Sequence, residues 1–290
     1  MAKKSQAKGS VRDALRVPAG AKPGIPLEPD SIPIGPDSKA AAAKDLAATG
    51  ERLAELQEAL YAEGVAGGGH RAVLLVLQGM DTSGKGGTIK HVCGQVNPQG
   101  LHIASFKKPT KAELRHHFLW RIRRQLPGPG LIGVFDRSHY EDVLVVRVNE
   151  LVPKSVWSGR YAEINEFEAE AAASGITLIK CFLHIAPDTQ KERLIARLKN
   201  PAKHWKYNPA DLDARARWSD YTKAYADALT RCSTSDAPWY VVPSDRKWYR
   251  NWAIGRLLLE TLEDLKPQVP PGEFEVDTEL ARLVEADPLG

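Results

Sequence analysis

The stretch "RAVLLVLQGMDTSGKGGTIKHV" (71–92) constrains this chain more than any other. Its first eight residues form an apolar run of strand length, and a run apolar on both faces needs cover on both sides, as in a parallel sheet. A glycine loop follows at once, and then a segment of helical character. Strand, glycine loop and helix in that order put backbone N–H groups at a helix start, which is a ready nest for anions. The loop approaches the pattern G-x-x-x-x-G-K-[ST], with Gly79, Gly84 and Lys85 in place. It departs from the pattern twice. Gly86 stands where a hydroxyl is usual, and Asp81 places a carboxylate inside a loop built for anions.

The rest of the chain alternates in the same way. Strands are expected at 71–78, 101–106, 131–136, 176–185 and 238–242, with helices between them and a closing helix near 246–264. The fold class that follows is α/β: a five-stranded parallel sheet in a three-layer P-loop arrangement. Residues 1–36 are rich in Pro, Gly and Lys and read as an extended arm that docks on the body, followed by a helix near 38–63. Thr110 and Glu113 form a capping-box pattern that predicts one helix through "KAELRHHFLWRIRRQL" (111–126). About fifty residues separate the fourth and fifth strands, more than a crossover needs. That basic, helical excursion predicts a lid over about 187–230. The main domain is expected to run over 37–270, with a tail at 271–290.

With 290 residues, 26% charged and 43% apolar, the chain fits a globular protein with a sizeable core. A net charge of +4 is too weak to imply nucleic acid by itself. Three separated cysteines without a C-x-x-C pair point away from a disulfide framework or a zinc site and fit a reducing cytoplasm. The start "MAKKSQAKGS" lacks the apolar segment of a signal peptide, and the longest apolar runs are too short to span a membrane.

Three features carry chemistry. Among phosphates, Asp81 is repulsive unless a cation intervenes, and magnesium takes carboxylates together with phosphate oxygens. Thr82, Ser83 and Thr88 offer the hydroxyl that Gly86 lacks, although a plain turn aspartate is the bland reading of Asp81. Asp136 ends an apolar strand in "LIGVFDRSHYED", where P-loop enzymes keep a second metal-holding acid, and Arg137 follows it, suited to charge on a transferring phosphoryl group. Lys107, Lys108, Lys111, Arg115, Arg121, Arg123 and Arg124 precede that strand, and Arg193, Arg197, Lys199, Lys203 and Lys206 lie in the predicted lid. Singly these are solvated charges; together they suit a long polyanion. His116, His117, His139 and His184 lack metal spacing and read as structural, and the tryptophans read mainly as core or lid residues.

The segments "LQGMDTSGKGGTIKHV", "VNPQGLHIASFKKPT", "FLWRIRRQLPGPGLIGVFDRSHYEDVLVVRV", "RLKNPAKHWKYNPADL" and "APWYVVPSDRKWYRN" resemble the family-2 polyphosphate kinases, over about residues 15–266. The resemblance implies a thymidylate-kinase-like P-loop fold with a helical lid. It implies phosphoryl transfer between inorganic polyphosphate and nucleotides, with Mg²⁺ or Mn²⁺. It implies a catalytic set of Asp81, Lys85, Asp136 and Arg137, with Asp81 and Asp136 also holding the metal, and phosphate or nucleotide binding by Gly79, Gly84, Gly86, Gly87, Thr88 and Lys107. Arg193, Arg197, Lys203 and Lys206 fall in the basic lid. Glu141, in "SHYED", resembles the subgroup that accepts nucleoside mono- and diphosphates. Many members of that subgroup carry asparagine where this chain has Asp136 and an acid where it has Gly86.

The expected partners are polyphosphate and nucleotides, without nucleic acid or membrane, in a homo-oligomer. Two other readings compete: an ATP-dependent nucleotide kinase of the same fold, and a non-catalytic polyanion-binding protein that would not need Asp81 and Asp136.

Overall fold

The computed structural model describes residues 9–285 and Leu289. Five parallel strands, β1 (Ala72–Gln78), β2 (Leu101–Ser105), β3 (Ile132–Asp136), β4 (Ile176–His184) and β5 (Trp239–Pro243), form one sheet in the order β2-β3-β1-β4-β5. The central β1 is buried along its whole length. Its period of two divides it between the layers. Val73, Leu75 and Leu77 meet helices Lys39–Val65 and Lys247–Leu265, while Leu74 and Val76 join Phe135, Phe167 and Leu178 on the other face. Each such aliphatic side chain contributes about 1.5–3 kcal/mol when fully buried. This is the α/β sheet expected from the alternation.

The arm docks, though it is not wholly extended. Residues 1–8 lie outside the described part. Ser10 caps a short helix, Val11–Leu15, and its hydroxyl also donates to Glu260 at 2.7 Å. Beyond it, Val17 N–H donates to the Trp239 carbonyl at 2.8 Å, and Arg16 bridges antiparallel to Tyr240. The arm therefore covers the outer edge of β5. At the other end of the chain, helix Val276–Glu285 buries none of its residues.

One helix expectation fails. The capping box forms, with Thr110 N–H donating to Glu113 Oε2 (2.7 Å) and Glu113 N–H to Thr110 Oγ1 (3.2 Å). Only a 3₁₀ turn follows, Glu113–Arg115, before His116 turns extended, and helix returns for Trp120–Arg123 alone. The physical reason is burial. Leu114 is exposed, whereas Leu119 and Ile122 enter the core from their own short turn, so no continuous apolar stripe supports a long helix.

Candidate active site

The glycine loop, Lys107, Asp136, Arg137, Glu141, Arg197 and Lys206 gather at the carboxyl ends of β1 and β3, where open parallel sheets bind ligands. The glycine loop needs its glycines at particular points. Gly79 (φ 153°) and Gly84 (φ 112°) occupy backbone regions unfavourable to other residues, and a Cβ on Gly84 would overlap the Arg250 guanidinium. Gly86, in contrast, faces open space, and Gly87 lies against Arg250. Two residues with side chains also take positive φ, Thr82 (66°) and Arg137 (65°). Strain of that kind costs about 1–3 kcal/mol and is held by its surroundings. Here the Arg137 N–H is pinned to the Leu77 carbonyl at 3.0 Å.

Lys85 is buried and donates to the Gly79 carbonyl at 2.9 Å. Burial and the neighbouring Arg137 push its pKa below the usual range, while Asp81, Asp136 and Glu141 pull it back. Arg137 Nη2 donates to Asp81 Oδ1 at 2.9 Å. Burial works against the Arg137 charge, yet Glu141 and Asp81 outweigh it and hold its pKa above the ordinary value. Glu141 lies in the turn His139–Asp142, whose cap is Ser138. Its pKa is raised by burial, against the pull of Arg137 and Lys85. The turn is anchored from beneath: His139 and Tyr140 both bond to Glu168, at 3.1 and 2.9 Å, and Lys180 reaches Glu168 at 2.5 Å. Lys180 and His139 together outweigh burial and keep the Glu168 pKa low. His139 is thus a structural residue, and His184 Nδ1 donates to the Leu27 carbonyl of the arm at 2.8 Å.

Two clefts meet here. One, of about 390 Å³, is lined by Asp81, Thr82, Gly84, Lys85, Gly86 and Gly87 of the loop together with Lys107, Asp136, Arg137, Arg197 and Lys206. The other, of about 330 Å³, is lined by Glu141, Val145, Asn149, Asp211, Tyr221 and Tyr225 among others. Asp81 and Arg137 are the two residues common to both walls. The clefts differ in kind. The first presents five cations, Lys85, Lys107, Arg137, Arg197 and Lys206, against two carboxylates. The second combines tyrosine and aliphatic surface with amides and carboxylates.

The structure separates the basic residues of the excursion between β4 and β5. Arg197 and Lys206 line the basic cleft, tied together by Arg197 Nη1 to the Lys206 carbonyl at 2.7 Å. Arg193 does not reach it. Its guanidinium donates to the carbonyls of Thr82 (2.9 Å), Ser244 (2.7 Å) and Asp245 (2.9 Å), so it braces the back of the loop. Lys203 is exposed and lines neither cleft. Trp205, expected in the core or the lid, is exposed beside Lys206, whereas Trp239 and Trp252 are buried.

Two residues were missed in the sequence. Arg250, buried under the loop, donates to the Ser83 carbonyl at 3.1 Å, and burial next to Arg193 pushes its pKa down to about 10. Asp211 sits opposite Asp81 and 3.5 Å from Arg197; burial and Asp81 raise its pKa to about 6. Both stand in quoted motifs, "SDRKWYRN" and "NPADL", but nothing in the sequence separates Asp211 from Asp188, Asp213, Asp220 and Asp227 of the same excursion.

A parallel sheet with a glycine loop on its central strand, and an acid and arginine at the next strand's end, defines the P-loop class of phosphate-handling proteins. The comparisons narrow the class. The sequence profile described as Polyphosphate kinase 2 (PPK2) matches residues 37–270, and the chain belongs to that family. It is 49% identical over 246 residues to an AMP/ADP-polyphosphate phosphotransferase of Meiothermus ruber, covering 85% of this chain and 90% of that one. An ADP-polyphosphate phosphotransferase of Rhodopseudomonas palustris is 44% identical over 232 residues, 76% of this chain and 78% of the relative. The crystal structure of polyphosphate kinase 2 from Arthrobacter aurescens superposes with a TM-score of 0.92 at 46% identity, over 99% of this chain and all of that one.

Proposed function

We propose that this chain transfers phosphoryl groups between inorganic polyphosphate and nucleotides, phosphorylating AMP and ADP. The observation that carries the reading is the pair of unlike clefts sharing Asp81 and Arg137. The basic cleft suits a phosphate chain as donor. The cleft with Tyr221, Tyr225 and Asn149 suits a nucleoside, whose terminal phosphate would then point at Arg137. The names of the Meiothermus and Rhodopseudomonas relatives support both substrates.

The acceptor phosphate is already anionic near neutral pH, so the chain's task is alignment and neutralisation of charge. Lys85 and Arg137 would offset charge on the transferred group, and Arg197 and Lys206 would close over the donor as part of a lid. The loop also fits a hard divalent cation, Mg²⁺ or Mn²⁺. Thr82 Oγ1 is buried without a partner, and Thr82 lines the same cleft as the carboxylates of Asp81 and Asp136. That is an all-oxygen donor set of the kind such ions prefer. Asp81 and Asp136 would hold the cation, which when bound draws negative charge off the phosphates. Among the described residues no helix is long and apolar enough to cross a membrane, and a cytoplasmic location fits the three separate buried thiols.

The test is a donor comparison. Purified protein with magnesium is given AMP or ADP and either polyphosphate or, as competing donor, ATP or GTP. Turnover from polyphosphate is expected; transfer from the nucleoside triphosphate alone would favour a nucleotide kinase, and binding without transfer a polyanion-binding protein.

A further inference from the structure

The basic cleft does not end at Lys107. A neighbouring cleft of about 480 Å³ shares Ser105, Phe106 and Lys107 with it and continues along β2, an edge strand of the sheet. Its walls carry Lys107, Lys108, Arg121 and Arg124. The one carboxylate among the lining residues, Glu113, is turned to the Thr110 N–H in the capping box, so it stays with its own backbone. We propose that this cleft is a distal subsite for polyphosphate, holding phosphates further along the chain than those over the glycine loop. The inference rests on the donor reading given above.

Three observations favour it. The first is adjacency: Ser105, Phe106 and Lys107 border both clefts, so this cleft is the next basic surface met by a chain leaving the loop past Lys107. The second is prior order. Arg121 Nη1 is fixed to the Lys107 carbonyl at 2.8 Å and lies over Phe106, with 5.5 Å to the ring centroid. Phe106 is itself held edge-on against Phe135. Arg124 lies over Trp120 at 5.0 Å. Cations supported in this way lose less side-chain entropy when a phosphate arrives. The third speaks against a nucleic acid as occupant. Single strands need free aromatic faces for stacking, but the Trp120 ring is already used by Arg124 and by His116, stacked at 4.1 Å. The broken helix after Glu113 matters here, because the break brings Trp120–Arg124 back beside β2. On the lid, Lys203 lines neither cleft, so the longer chain is served from the sheet edge.

The test uses Lys108→Gln combined with Arg124→Gln, two exposed positions outside the reacting cleft. Steady-state rates are measured with saturating ADP and either long-chain polyphosphate or tetraphosphate, which is too short to span both clefts. The expected result is a rise of about fivefold in the long-chain KM, with tetraphosphate KM and both kcat values unchanged. The salt dependence of the long-chain KM should also flatten in the variant. An unchanged long-chain KM, or equal rises for both donors, overturns the distal subsite alone. A wild-type enzyme that uses no polyphosphate overturns the donor reading and this inference with it. Protection of the cleft by a single-stranded oligonucleotide rather than by polyphosphate would reassign its occupant.

Discussion

Arg137 Nη2 lies 2.9 Å from Asp81 Oδ1, and this pair stands where the two clefts meet. Both residues come from the carboxyl ends of paired strands, β1 and β3, whose register sets Leu77 opposite Asp136. The ion pair keeps a strained arginine at the junction before any substrate arrives. A fixed charge of this kind needs no reorganisation when negative charge moves from one phosphate to another.

Lys85→Ala and Asp136→Asn should each lower kcat by about two to three orders of magnitude, the usual effect of removing one preorganised electrostatic group. Circular dichroism should remain native. Near-wild-type turnover in either folded variant would remove that residue from the catalytic set.

Two glycines two positions apart should respond in opposite ways. Gly84→Ala combines φ 112° with an overlap on Arg250 and should cost about 2 kcal/mol or more. Gly86→Ala meets nothing within 4 Å and sits inside helix Lys85–His91, so it should gain up to about 0.5–1 kcal/mol. Denaturant midpoints check both values. Equal midpoints would contradict the assigned loop geometry.

Glu141 lies near Arg137 and Lys85 and lines the cleft proposed for the acceptor. A monophosphate brings its ribose and base one phosphate nearer to the reacting centre, so it depends more on this wall. Glu141→Asn should therefore reduce AMP turnover distinctly more than ADP turnover. An unchanged ratio of the two rates would make Glu141 an ordinary residue of a capped turn.

Asp211 gives a pH signature. Burial and Asp81 raise its pKa to about 6, so the folded state binds this proton more tightly than the unfolded state, where an aspartate titrates near about 4. Its stabilising contribution is present at low pH and is lost as pH rises through about 6. Asp211→Asn removes that loss. The melting temperature of the variant relative to wild type should thus be more favourable at pH 8 than at pH 5. A pH-independent difference would mean that Asp81 and Asp211 do not oppose one another.

Much of this was legible in the sequence because it is local. The apolar run of strand length at 72–77 suits a strand covered on both faces, and the loop after it must turn where Gly79 and Gly84 allow positive φ. Asp136 and Arg137 followed from a strand end. The capping box at Thr110 and Glu113 was equally local and it formed, yet it could not report whether apolar contacts would carry the helix further.

The sequence by itself determined the strand segments, the α/β class, the loop and the acid and arginine at a strand end, since each is written in residues close together in the chain. Tertiary structure alone decided which cations line the basic cleft. Arg193 and Arg250 have the same chemistry as Arg197, but carbonyls 110 and 167 residues away in sequence engage them, so both brace the loop. It also set Asp211 across from Asp81 and divided the site into two clefts. Those outcomes depend on which face each distant helix presents to the sheet, and that is settled by burial summed over the whole core rather than by any local pattern.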